Sequence, residues 1–552
     1  MQNYSAHSRI SFYVVACSLL LLPFVKFFTL GFRGLAEPAN TFIYIPICVL
    51  LLLSCKHVFT EKVKINDFIA PLFLVTLLLI AYVLIKTDLN LTNNMVIYLS
   101  CILFFLLVIQ NFVWLAPDKS LLITLLFVFG CCQLCFGLVE YFYNLYNQSE
   151  VAGSGRPEAS FRQVNIMATM MLTNYLLAFY IVSKKAWFRK LFYPALIVTL
   201  LTPLVLFLCQ SKASFVSIIT LLALFALLTN HRFLIKNKLF LITTLLGVLI
   251  VFIYAFIAPP PRDLNEMTNI SARSTYYLHS LNMILEKPLF GWGPGHFGTA
   301  FYYTLIEQIS LGKYDIEFNS LVLHPHNEIF LWAIELGAIG IGYIGLFTYL
   351  LVKQLTHNFK FQLSKCWGLI LATPIVVHSM FEFPIHTSGY VSFYLCIIVY
   401  CFSTFRVYSV PTSREATASK VIGVVQLAYI PLIVLIFLSA VAAAKYTSTE
   451  NINLALQTRE DIIFEFPTDI YIKQTDVLID LQLALIENDK ASIKTANDKI
   501  YDMLIDFPVP KIAYMYLENC EKRVVCEEDK FEFIKLSFPL PKNYHNNKLE
   551  EK

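Results

Sequence analysis

Leu321–Gly340 reads LVLHPHNEIFLWAIELGAIG. Two histidines, an asparagine and a glutamate head an apolar run that continues to about residue 352. The run is long enough to cross a bilayer, which takes about 20 predominantly apolar residues. It therefore raises the question of why titratable groups stand where a membrane helix begins.

The rest of the chain repeats the apolar pattern. Of 552 residues 57% are hydrophobic and 14% charged, against about 45–50% hydrophobic in soluble domains. Hydropathy predicts an all-α polytopic membrane protein with thirteen spans, near 10–30, 41–55, 67–85, 95–115, 120–142, 165–183, 191–208, 213–229, 239–258, 328–352, 366–381, 389–405 and 421–444. The first run carries Lys26 late and has no small-residue cleavage site, so it reads as a retained span.

Charge orients the spans. Alternate loops, from the segment before the first span to 406–420, hold 18 Lys and Arg, whereas the short loops of the other set, 31–40, 86–94, 143–164, 209–212 and 382–388, hold 5. The positive-inside rule makes the first set cytoplasmic, with the N-terminus inside and the C-terminus outside. The expected organisation is nine spans in 1–258, a large periplasmic loop at 259–327 opening with Pro259–Pro261, four spans in 328–445, and a periplasmic helical domain in 446–552. That tail has 13 Lys and Arg against 20 Asp and Glu, and its apolar spacing reads as amphipathic helices in antiparallel pairs.

Most of the 13 cysteines lie inside spans, where a thiol is a small apolar side chain. Cys520 and Cys526 are the pair in the tail; on the oxidising side of a membrane they are expected to form a disulfide if the chain turns between them. No spacing suggests zinc or iron–sulfur ligation, and the pattern offers nothing to nucleic acid.

The predicted topology gathers polar groups from distant segments on the outer face. These are Arg156, Arg162, Gln163 and Asn165 in GSGRPEASFRQVNIMA; Lys212 in CQSKAS; Arg273 in SARSTYYL; His324, His326, Asn327 and Glu328 in HPHNE; and His378, Glu382 and His386 in HSMFEFPIH. Cations at outward-facing helix ends are what the topology rule disfavours, and such groups mark sites. Each also has a plainer reading. A boundary Arg or Lys snorkels to lipid phosphate; His378 is a satisfied core histidine; Glu335 is a partner for a basic group or a helix contact; and the glycines of PLFGWGPGHFG form a tight turn. As a set, guanidinium and ammonium groups suit a phosphate or diphosphate, and an imidazole accepts a proton from a hydroxyl. Together they point to group transfer from a lipid-linked phosphate donor to an alcohol.

HPHNEIFLWAIELGAIG resembles the signature of the O-antigen ligase and polymerase superfamily. The likeness extends to RPEASFRQVNIMA, to the SK of CQSKAS, to Arg273 followed by EKPLFGWGPGHFG, and to HSMFEFPIH. With its helical tail, the chain is most similar to the PglL-type protein O-oligosaccharyltransferases. The resemblance implies a GT-C-type glycosyltransferase of the bacterial inner membrane that is metal-independent and needs no cofactor. It would take a glycan from undecaprenyl diphosphate on the periplasmic side, invert it, and pass it to Ser or Thr of a pilin or other exported protein. His326 or His324 would match the essential histidine, Arg273 the diphosphate-binding arginine, Gln163 the glutamine of the RQxN segment, and Glu382 the acidic residue of the late motif. Arg156, Arg162, Lys212, Asn327 and Glu328 join them as substrate-binding residues. Where relatives have SR this chain has Ser211–Lys212, which keeps the charge but not the fork.

Two other enzyme classes share this pattern: an O-antigen ligase that joins glycan to lipid A core, and a polysaccharide polymerase. A lipid-linked glycan flippase or permease would instead place its polar groups at mid-membrane, open to both sides.

Overall fold

The computed structural model describes residues 6–21, 48–53, 64–90, 93–147, 155–161, 163–229, 231–258, 271–314, 322, 324–403, 405, 407–409, scattered positions between 423 and 462, 469–506, 508–523 and 526–538. It is an all-α polytopic membrane protein. Seven helices among the described residues are long and apolar enough to cross a bilayer: Ile69–Lys86, Met95–Val113, Lys119–Tyr146, Val164–Ser183, Arg189–Cys209, Lys238–Ile257 and Glu328–Leu355. Three shorter apolar helices, Lys212–Leu228, Leu363–His378 and Gly389–Phe402, fall on three more expected spans. Much of the expected spans at 10–30, 41–55 and 421–444 lies outside the described residues, as does the Pro259–Pro261 stretch.

The chain divides into two compact units. The first comprises residues 1–82, 98–269 and 343–437. Its elements include α1 (Ala6–Leu21), α2 (Ile69–Lys86), α3 (Asn94–Leu115), α4 (Lys119–Asn147), α5 (Val164–Ser183), α6 (Phe192–Cys209), α7 (Lys212–Leu228) and α8 (Lys238–Ile257). Helix α5 is its centre: apolar on all faces, it is buried over most of its length against α4, α6 and α7. By contrast α8 turns most of its Leu, Ile and Phe side chains outward, as a lipid-facing helix should. Hydroxyls tie spans together where no hydrophobic force acts between helices in lipid: Thr199 Oγ1 lies 2.6 Å from Thr243 Oγ1, and Tyr175 Oη 2.8 Å from Thr244 Oγ1.

Polar contacts sort the loops of this unit into two ends. At one end β1 (Lys64–Asn66) pairs antiparallel with β2 (Val407–Ser409). There too Gln354 Nε2 donates to Asp67 Oδ1 at 3.0 Å, Tyr400 Oη to the Pro117 carbonyl at 3.1 Å and Lys119 Nζ to the Ser403 carbonyl at 3.0 Å. These joined loops belong to the Lys/Arg-rich set. At the other end, segments 155–165, 209–212 and 378–388, from the charge-poor set, are joined by the contacts described below.

The second unit comprises 83–97, 270–342 and 438–552. It contains α9 (Ser271–Glu286), α10 (Phe297–Ser310), the start of α11 (Glu328–Leu355), and four tail helices that follow α12 (Leu363–His378) and α13 (Gly389–Phe402) in the chain: α14 (Asp469–Glu487), α15 (Lys490–Asp506), α16 (Pro510–Arg523) and α17 (Glu528–Ser537). Consecutive tail helices pack on one another. Ile472, Ile493, Ile500, Leu504, Tyr516 and Phe538 are buried, and the charges lie outside in pairs such as Lys499–Asp480 and Lys530–Asp498. Loop and tail thus share one compact unit; Tyr302 and Tyr303 of α10 donate to the carbonyls of Ser537 and Leu504.

Cys520 and Cys526 are disulfide-bonded. Helix α16 ends at Arg523 and α17 starts at Glu528, so the chain turns as the bond requires and brings the two Cα atoms to 5.4 Å. Thiol labelling of the unreduced protein should leave both cysteines unmodified. Closing so short a loop is expected to add about 2 kcal/mol to the tail's stability, read as a shift of its unfolding on reduction.

Candidate functional site

The sequence-predicted residues fall into two groups, one in each unit.

In the first unit the knot is Glu382, 7% exposed. Gln163 Nε2 donates to its Oε2 at 2.8 Å and Asn165 Nδ2 to its Oε1 at 2.5 Å. His378 Nε2 lies 3.1 Å from Oε2, one helical turn away on the 378–382 segment. All three are nitrogen donors, so the carboxylate is held as an acceptor. Thr169 Oγ1 lies 2.9 Å from His378 Nδ1, so both ring nitrogens are partnered. His378, fully buried, is indeed a satisfied core histidine, yet its partner is a candidate site residue. The side chain of His386 lies outside the described residues.

The segment leading to Gln163 is held from α4. Glu140 Oε2 accepts from the backbone N–H groups of Glu158 at 3.0 Å and Ala159 at 2.7 Å. Gln133 Oε1 accepts from the backbone and hydroxyl of Ser160. Ala159 sits at φ 50°, a left-handed conformation uncommon for alanine, and these acceptors compensate its strain. Arg156 Nη1 donates to the Cys209 carbonyl at 3.1 Å, which brings it to the 209–212 turn. Lys212 is the first residue of α7, behind Ser211, whose hydroxyl caps the helix. A cation at a helix N-terminus opposes the dipole. Arg162 lies outside the described residues.

In the second unit, HPHNE forms the entry to α11. Asn327 Oδ1 accepts from Phe330 N at 3.1 Å and caps the helix, and Glu328 follows in the first turn, where the dipole favours an acid. His324, 4% exposed, uses Nδ1 to accept from the His326 backbone N–H at 2.9 Å. His326 has φ 56°, a left-handed backbone that few non-glycine residues adopt, and is half-buried. Its carbonyl accepts from Tyr277 Oη at 3.0 Å. Arg273 lies one turn before Tyr277 in α9, with its side chain outside the described residues.

A break in α11, not expected from the sequence, follows this entry, and the glycines of PLFGWGPGHFG, read as a tight turn, pack against it. Gly337 has φ 59° and ψ −138°, which interrupts the helix. The groups released are paired by the glycine-rich loop: Trp292 N donates to Ile334 O at 2.7 Å, Gly293 N to Glu335 O at 3.2 Å, and Ala338 N to the carbonyls of Pro288 and Leu289. Glu335 receives Gly295 N at 2.7 Å and Phe297 N at 3.3 Å, so it anchors the start of α10, and it pairs with no basic residue among the described ones. A β-carbon at 337 would stand 2.5 Å from Leu289 backbone atoms. Gly337→Ala should therefore detach the loop, with strain of about 1–3 kcal/mol before any clash, seen as loss of the monodisperse peak in detergent size-exclusion.

Sequence reasoning missed Glu140, Gln133 and Thr169. Glu140 left a signal, being the one acidic residue in the 120–142 span; the other two look like ordinary polar residues of packed helices.

A family model described as O-antigen ligase matches residues 195–345, from within α6 to within α11, a stretch that contains Lys212, Arg273 and HPHNE. No curated protein matches the chain. The match supports the O-antigen ligase superfamily and a glycosyl-transferring activity of that kind.

Proposed function

We propose that this chain is a PglL-type O-oligosaccharyltransferase: it takes a glycan from undecaprenyl diphosphate and joins it to a Ser or Thr hydroxyl of an exported protein such as a pilin, on the periplasmic face of the bacterial inner membrane. The observation that carries the reading is the strained, two-histidine entry to α11 inside the family-matched stretch. Strain of this kind persists at sites whose geometry matters more than their stability.

In the proposed step the acceptor oxygen attacks the anomeric carbon while an imidazole takes its proton. The bond from that carbon to the diphosphate oxygen breaks on the opposite side, and the electron pair leaves on undecaprenyl diphosphate. His326 suits the base better than His324, because the Nδ1 of His324 is engaged by the backbone of His326. His324 then sets the conformation of its neighbour. Arg273 stabilises the departing diphosphate, an electrostatic contribution of about 3–4 kcal/mol where one donor has been deleted in other enzymes. Arg156, Arg162 and Lys212 are assigned to anion binding on charge, Asn327 and Glu328 to holding the entry, and Gln163 and Glu382 to the donor side. The helical tail and the EFP segment favour a protein acceptor.

The test is to express the chain with a lipid-linked glycan pathway and candidate pilins and to read intact masses. Glycan on the pilin supports the reading. Glycan on lipid A core makes it an O-antigen ligase, lengthened lipid-linked chains make it a polymerase, and no transfer to any acceptor overturns it.

A further inference from the structure

Helix α9 is built inside out for a segment bathed in water. Its inward side holds His279 at 2% exposure, Ser280 at 0% and Met283 at 1%, with His279 Nε2 2.9 Å from Thr304 Oγ1. Outward point Leu278, Leu281 and Leu285, at 52, 43 and 68% exposure, followed by Leu289 and Phe290 at 65% each. The spacing of the first three, three and four residues apart, makes one continuous stripe. The tail helices show the opposite arrangement, so the inversion is a local property of α9 and the stretch after it.

Depth explains the stripe. Pro288 and Leu289 accept from Ala338 N at 2.9 and 3.1 Å, beside the break in α11. From Ala338 to Lys353, the first charged residue after the break, α11 rises about 22 Å. The hydrocarbon core is about 30 Å thick. With Lys353 at its far edge, Ala338 lies inside the near edge, and helix tilt only deepens it. The stretch hydrogen-bonded to Ala338 lies at the same depth. Its irregular backbone is admissible there because α11 pairs it. Of the two charges beside it, Glu286 and Lys287, both exposed, Lys287 rests with Nζ 3.7 Å from the Trp292 ring centroid, which offsets its desolvation.

We propose that α9 and the Pro288–Trp292 stretch form a re-entrant element whose leucine face contacts the acyl chains of the bilayer. The 259–327 loop is thus partly a membrane-embedded segment, and its partner on this face is lipid. The inference stands apart from the proposed activity, and its test does not read transfer.

A nitroxide is attached through a non-canonical amino acid at 281, 285 or 290 of the full chain in lipid vesicles, which leaves the native cysteines untouched. Collision with oxygen and with a water-soluble nickel chelate is then measured, with position 313 as the control. Lipid contact gives high oxygen and low nickel collision at all three sites, with nickel collision at 313 at least several-fold higher. Nickel collision at 281 and 290 equal to that at 313 places the face in water and overturns the proposal. Low collision with both reagents means that protein covers the face, and it overturns the proposal equally. Three separate sites keep the test decisive if one variant fails to insert.

Discussion

Replacing His326 by alanine is expected to lower glycan transfer per inserted protein by about 10²–10⁴, the range for loss of a positioned general base. Membrane yield should stay near the parent value, because His326 is half-buried and the bond from Tyr277 goes to its carbonyl, which alanine retains. His324 should behave differently. Its Nδ1 accepts from the N–H two residues on, a bond that an asparagine Oδ1 reproduces. His324→Ala should lose most activity by releasing the strained backbone of His326, whereas His324→Asn should recover much of it. A structural histidine with no link to the base would show no such rescue. Arg273→Lys separates charge from geometry, since lysine restores little where a diphosphate is bound bidentately and much where charge alone is needed. The outcome that sinks the mechanism is near-normal transfer with both histidines replaced; near-normal transfer in Arg273→Ala moves the diphosphate contact to Arg156, Arg162 or Lys212.

Different physical signals made the parts of this molecule legible to different degrees. The helices 164–183, 192–209 and 238–257 stand within a residue or so of the spans read from hydropathy, because a bilayer imposes a length that no packing detail overrides. The turn between Cys520 and Cys526 was legible only as the condition for a disulfide expected on the oxidising side of the membrane. Gly337 was not. A glycine inside an apolar run of a span looks like a small packing residue, and only the partner loop, with Trp292 N on Ile334 O, shows that the helix stops there. Glu335 was open between two roles for the same reason, its donors being backbone N–H groups that carry no sequence label. The knot at Glu382 joins residues more than 200 positions apart in the chain. Its members could be named as polar residues on one expected face, but their pairing is a product of how α5 and α12 pack.

That pairing makes Glu382 the residue whose loss should cost most stability. Its carboxylate serves Gln163, Asn165 and His378 at once, in a pocket almost closed to water. Glu382→Ala leaves one buried and two half-buried donors facing no acceptor, and a fully buried group of this kind costs about 1–3 kcal/mol. Neighbours relax and recover part of this, so a net loss of about 3–5 kcal/mol is expected, comparable with breaking a buried ion pair. Glu382→Gln should be nearly as damaging: it keeps the shape but turns one acceptor oxygen into a donor against another donor. Glu382→Asp keeps both oxygens on a shorter arm and should fall between. The measurement is thermal unfolding in detergent beside transfer activity. As a clamp on the start of α5, Glu382 predicts that unfolding temperature and activity fall together through the series Asp, Gln, Ala. As a group that touches substrate, it predicts lost activity at an unchanged unfolding temperature. Unchanged stability in Glu382→Ala would show that the three donors find other acceptors, and would remove the clamp from the account of how the RQxN segment is placed.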